Sequence, residues 1–383
     1  GSGNQLHLQT GSIIQGALEV ADGGAAQVIS AASKSIDAVK LDGDTLGAQI
    51  TFETDSVSPG ALLVKSITGT GDVKSQGNNA PFTFEHIDVD GSVTLNHVGV
   101  TGLDGSIIST GAQAFAARLT LLGDSSLEGQ STIGVSGAID GAHSLAVSTP
   151  AALTLNGNIG LAARLTNLTS SSATLAIKGV RAGAIDLTTT GGAITQAGAF
   201  DITGTSAFDA GTHDVQLLNA NSFGGNVTAT GSNIAIHAAS DLTIGGVANG
   251  AAGNISLTSS GVLTLPTSLT TTGNISLASN GGVLAPTAQL QGGSITLTGG
   301  TGVTLSNGVI TPGVLTLNAG TGNVLQVGNG VSAGELVANT SGTLSLTSAA
   351  NAIQTLGDIS ANAFVFANAI ASTVTGDVSA QSI

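Results

Sequence analysis

Apolar–polar–apolar triplets recur at intervals of 20 residues in the second half of this chain: Ile255-Ser256-Leu257, Ile275-Ser276-Leu277, Ile295-Thr296-Leu297 and Leu315-Thr316-Leu317. Such alternation is the pattern of a half-buried β-strand, because successive side chains point to opposite faces. A second series runs between them, through Leu263-Thr264-Leu265, Val283-Leu284 and Val303-Thr304-Leu305. A third passes through Leu269, Leu290 and Val309-Ile310. Three short strands per period, separated by Gly, Asn and Ser, predict a chain that winds repeatedly around one narrow apolar core. That architecture is a parallel β-solenoid.

The period tolerates slips of one residue. Ile234-Ala235-Ile236 lies 21 residues before Ile255, Val215-Gln216-Leu217 lies 19 before Ile234, and Leu336-Val337-Ala338 follows Leu315 by 21. A slip inside a strand would turn its buried face outward, so the slips belong in turns, where Gly supplies left-handed backbone conformations. The polar middles Ser256, Ser276, Thr296 and Thr316 then stack as one outward ladder. Neighbours in such a ladder contribute about 0.2–1 kcal/mol per pair.

Strand candidates before residue 150 are Gln5–Leu8, Ile50–Phe52, Leu62–Val64, Phe82–Phe84, Val93–Leu95, Leu119–Leu121 and Leu145–Val147. Their intervals are longer and less even, with Leu95, Leu121 and Val147 falling 26 apart. Residues 1–150 are therefore expected to form larger, irregular coils with projecting loops, and 151–383 a regular stalk continuous with them. Coils of this size predict about 15–18 turns and a rod on the order of 70–90 Å, at about 4.8 Å per turn.

Composition narrows the core. Of 383 residues 57 are Gly, nine are Phe, and there is no Cys, Met, Trp or Tyr. A wide globular core would draw on aromatics, whereas stacked Val, Ile, Leu and Ala suffice for a solenoid. Low charge, 8% of residues, with positive mean hydropathy excludes a disordered chain. Six Pro exclude collagen, which needs abundant Pro with Gly at every third position.

The net charge is −15, and no Lys or Arg follows residue 181. Nucleic acid and anionic membrane surfaces both require cations, so neither is an expected partner. No apolar run reaches the length, about 18 residues, of a membrane-spanning helix. The absence of cysteine suits export of an unfolded chain through a narrow pore, and equally a reducing compartment. The opening Gly1-Ser2-Gly3 and the ending Ser382-Ile383, with no evident cap, read as a segment of a longer protein.

Candidate chemistry is sparse. Gly330-Val331-Ser332-Ala333-Gly334 matches the nucleophile-elbow spacing G-x-S-x-G, yet the last histidine is His237 and no helix is predicted after it. Asp42-Gly43-Asp44 and Asp88-Val89-Asp90-Gly91 resemble fragments of calcium loops but lack the distal Glu, and turn-forming Asp is the simpler reading. His7, His86, His97, His143, His213 and His237 show no metal spacing. Asp209 with His213-Asp214 is the best acidic cluster of the regular half, and a carboxylate pair there would suit glycosidic chemistry. Five Asn-x-Ser/Thr matches, Asn254 and Asn274 among them, arise from the repeat itself. The hydroxyl ladder mixes Ser with Thr and lacks the second Thr of an ice-binding face. No catalytic residue, metal or cofactor is assigned.

The runs Gly253-Asn-Ile-Ser-Leu-Thr-Ser-Ser-Gly261, Gly273-Asn-Ile-Ser-Leu-Ala-Ser-Asn-Gly281 and Gly292-Gly-Ser-Ile-Thr-Leu-Thr-Gly-Gly300 give the chain a likeness to a known family. It resembles the filamentous haemagglutinin-like exoproteins of two-partner secretion and related autotransporter passengers, best over residues 150–360. The Asn-Pro motifs of that family's secretion module do not occur. The resemblance implies an all-β, right-handed parallel β-helix on the bacterial surface. It also implies a secreted adhesin or stalk without enzymatic activity, an outer-membrane secretion partner, and a surface glycan or exopolysaccharide as ligand. Two alternatives stand beside it: a matrix-building filament formed by rod–rod contacts, and a β-helical polysaccharide hydrolase or lyase. Any binding is expected in the first 150 residues, where loops and charge concentrate.

Overall fold

The inward positions of the triplets stack turn upon turn. In this computed structural model Ile234, Ile255, Ile275, Ile295, Leu315 and Leu336 pair in parallel register, none more than 1% exposed. The structure describes residues 4–8, 14–30, 34–43, 47–54, 61–77, 80–265 and 267–383. Among them every element is a strand, 42 in all, and every strand pairing with a defined register is parallel. The chain is a parallel β-solenoid of about 17 turns with roughly 20 residues per turn. It divides into two compact units, Gly1–Gly192 and Ala193–Ile383.

In the second unit all three predicted series are strands. Leu284, Val303 and Val324 form the second inward column, and Leu269, Leu290, Val309 and Val331 the third. Each side chain of this kind removed from water contributes about 1.5–3 kcal/mol, an upper figure because unfolded chains already bury some surface.

In the first unit the turns are regular from Leu62 onward: Val73, Val93, Gln113, Ile133 and Leu153 lie one above another. The step there is 20 residues, as in the bond from the Ser92 N–H to Asp72. The larger coils expected throughout 1–150 occupy only the first turns, where the Lys65–Asp37 ion pair spans 28 residues. The 26-residue interval is no coil. Leu95 stacks on Phe115, Leu121 on Leu103, and Val147 on Leu127. Eight of the nine Phe are buried, packed in pairs such as Phe52–Phe84 at 5.8 Å and Phe200–Phe208 at 6.2 Å.

The turns explain the Gly-Asn of the repeat. A Cβ at Gly253 would lie 1.7 Å from the Ser232 carbonyl oxygen of the turn below, so only glycine fits that approach. The following Asn holds the next turn: Oδ1 of Asn233, Asn254 and Asn274 accepts the backbone N–H of Asn254, Asn274 and Ser294 in succession. A second device recurs as Thr-x-Gly. The buried hydroxyls of Thr271 and Thr311 donate to the carbonyls of Gly253 and Gly293 and accept the N–H of Gly273 and Gly313.

Inside the second unit two amide pairs repeat one geometry. Asn221, fully buried, exchanges hydrogen bonds with Gln196 at 2.7 and 2.9 Å, accepts the Phe200 N–H and donates to the His237 carbonyl. Asn351 does the same with Gln326, the Val331 N–H and the Ala367 carbonyl. Replacing Asn221 by Leu strands buried polar groups at about 1–3 kcal/mol each. Asn221→Leu should therefore lower stability by at least about 2 kcal/mol, against about 1 kcal/mol for the exposed Asn254→Ala. Denaturant midpoints of the two variants check this, and equal shifts would refute it.

Candidate functional site

The second sheet of the first unit presents one unbroken outward face. It is built by strands Leu62–Thr70, Phe82–Val89, Val100–Ser109, Ser125–Gly129, Ser144–Ser148, Leu165–Ser172 and Val180–Thr189. Alternation sends Ile67, Ile87, Ile107, Leu127 and Val147 inward and leaves two columns outside. One runs Ser66, His86, Ser106, Ser126, Ala146, Thr169, Asp186. The other runs Thr68, Asp88, Ile108, Glu128, Ser148, Ser171, Thr188.

Short side chains along these columns leave two depressions. The larger, about 440 Å³, has Ser106, Ser126 and Ala146 as its floor and Asp124, Ser144 and Asn167 along one edge. Asp124 accepts the Ser144 N–H at 2.8 Å, and its carboxylate lies 4.0 Å from His143 Nδ1 while remaining largely exposed. His86 Nδ1 is 2.7 Å from the Ser106 hydroxyl. The smaller depression, about 280 Å³, is lined by Asp88, Asp90, Thr110, Glu128, Gln130 and Ser148. Both are open to solvent along the sheet, and both display hydroxyl, amide and carboxylate groups that hydrogen-bond polyhydroxylated ligands.

The fold thus brings Asp88 and Asp90 beside Glu128, an acid the calcium-loop spacing did not select. Asp90 is engaged by the Thr110 hydroxyl. Asp42 ends strand Lys34–Asp42 and is exposed, and Asp44 lies outside the described residues. No three His, Asp or Glu among the described residues converge as metal ligands would. His213 and Asp214 stand in the turn before strand Val215–Phe223, and Asp209 ends strand Ser206–Asp209. Asp209 accepts the Gly211 N–H, and Asp214 accepts both the side-chain amide and the N–H of Asn233. The Asn233 amide holds the Asp214 carboxyl below the usual carboxylate range, opposite to the direction a general acid needs. Ser332 of the G-x-S-x-G match lies in extended strand Val331–Asn339, without the strand–turn–helix of an elbow.

Histidine placement was not legible in spacing. His97 is 2% exposed, its Nδ1 2.7 Å from the Ser75 hydroxyl and its ring 4.6 Å from that of Phe82. Burial pushes its pKa below the ordinary 6.5. The unfolded chain therefore takes up a proton that the folded chain refuses, and stability falls as pH drops below about 6.5. Thermal midpoints should decline between about pH 7 and 5, and His97→Gln should flatten that slope. An unchanged slope in the variant would contradict the assignment.

A solenoid whose groups for ligand contact lie on an open sheet face is a repeat-built, β-helical protein. Residues 163–230 match the family described as repeats of unknown function (DUF5649). No curated protein and no solved structure matches the chain.

Proposed function

We propose that this chain is a non-enzymatic segment of a secreted bacterial surface protein that attaches cells to a glycan or exopolysaccharide. The observation that carries the reading is the outward face of the first unit, with two open polar depressions on successive turns of one sheet. Hydroxyl, amide and carboxylate groups in register offer a polymer the same contacts turn after turn. Each contact is weak without an aromatic platform, so affinity would come from many turns engaged at once. The second unit, without a cation, serves as spacer. Export through an outer-membrane partner follows from the family resemblance and from the absence of cysteine.

A polysaccharide hydrolase or lyase is the competing reading, and the Asp124–His143 pair is where it would act. One experiment separates them. The intact chain is screened against surface glycans and exopolysaccharides alongside Ser126→Trp and Ala146→Trp, which fill the larger depression from outward positions. Binding by the parent, lost at least about tenfold in both variants with thermal midpoints unchanged, supports the reading. Undiminished binding in the variants sinks it, and new reducing or unsaturated ends in the polymer would favour the enzyme. Long polymers should bind at least about a hundredfold tighter than short oligosaccharides.

A further inference from the structure

The charge of the molecule has a gap. Residues 242–334 contain no Asp, Glu, Lys, Arg or His, although the chain as a whole carries −15. One sheet of the second unit lies largely in this gap. It is formed by Val283–Leu284, Gly302–Leu305, Asn323–Gln326, Thr343–Leu346 and the end of Ala352–Phe366. Its inward column is Leu284, Val303, Val324, Leu344 and Phe364. Its outward side exposes Val283 at 43%, Leu325 at 39%, Val327 at 69% and Val365 at 49%. Val262, 42% exposed, adjoins it beside Gly282. No ionisable side chain occupies the outward positions of these strands.

We propose that this face binds the same face of a second copy of the chain. Two arguments select that occupant. Like-charged copies of an acidic chain repel wherever their charged regions meet, and the uncharged sheet is where they approach at least cost. A strongly charged partner would find nothing on it to pair with. The outward column Thr304, Leu325, Ser345, Val365 also alternates small with large side chains in strict register. A copy related by a twofold axis can set Leu325 and Val365 over the gaps at Ser345 and Thr304, which makes the patch complementary to itself. Turns about 4.8 Å apart keep that interdigitation in step along the face.

Attraction through uncharged groups against a background of repulsion has a salt signature. Screening shortens the reach of the repulsion, to about 10 Å at 0.1 M salt, and leaves the apolar contact intact. Sedimentation equilibrium of the intact chain, without glycan, should show reversible dimers whose dissociation constant falls several-fold between about 0.05 and 0.5 M NaCl. Leu325→Glu and Val327→Lys should each weaken the dimer at least about tenfold, because an unpaired charge would be buried. Val327→Lys also reduces the net negative charge, so its effect cannot come from added repulsion. Thr296→Glu, outward on a different sheet of the same uncharged stretch, should lose much less. Circular dichroism melts confirm that each variant is folded. A monomer at every concentration and salt, a dimer that weakens with salt, or a dimer lost only in Thr296→Glu would each overturn the proposal. The readout is mass without ligand, so it stands or falls apart from glycan binding.

Discussion

Register between successive turns is the constraint on which the rest of this molecule depends. In a parallel solenoid each strand's backbone bonds to residues about one turn away, and a slip of one residue would expose an entire inward column. Inward Ile over Ile gives large apolar burial but little registry, since one aliphatic side chain fits above another in many ways. The registry comes from polar groups at the corners. Asn233, Asn254 and Asn274 each bond the residue one turn on, and Thr271 and Thr311 each reach the glycine carbonyl of the turn before. A hydrogen bond of this kind is worth only about 0.5–1.5 kcal/mol, but it is directional and is lost in the wrong register.

The buried amide pairs take the same logic into the core. Gln196 with Asn221 and Gln326 with Asn351 are separated by 25 residues in both cases, and each Asn satisfies a backbone N–H that the strand ladder leaves open. Where a turn departs from the regular 20-residue step, the aliphatic stack is interrupted and its backbone groups need another partner. An Asn with two donors and an acceptor supplies it from inside.

Legibility of the sequence followed the side chains that face inward. From Val215 to Leu336 those are Val, Ile and Leu, so period, strand placement and stacking partners could all be read. Before residue 150 many inward positions are Ser, Gln or Gly. Strand Ser125–Gly129 has a single large apolar residue, Leu127, with Ser125 and Gly129 also inside, and so leaves no alternation to detect. Omitting such strands turned neighbours on different sheets, Leu95 and Leu121, into an apparent 26-residue coil. The candidate face was hidden for a related reason. Its members lie 20 residues apart on seven strands, several unseen, and motif spacing reads only along the chain. Asp88 and Asp90 could be noticed as neighbours, whereas Glu128 joins them only through two turns of stacking.

Because the core is set by alternate residues and the corners by Gly, Asn and Thr, the outward positions have little structural duty. Ser126 and Ala146 can be exchanged on the outer face without touching Leu127 or Val147 beneath it. That separation lets one scaffold carry different surfaces on different sheets: a polar face with carboxylates in the first unit, and a sheet without charge in the second. In a globular enzyme a polar cleft must be stabilised against the core that surrounds it. A solenoid spreads its contacts along a surface the core never reaches, which suits repeated weak attachment better than the enclosed, desolvated geometry that most catalysis requires.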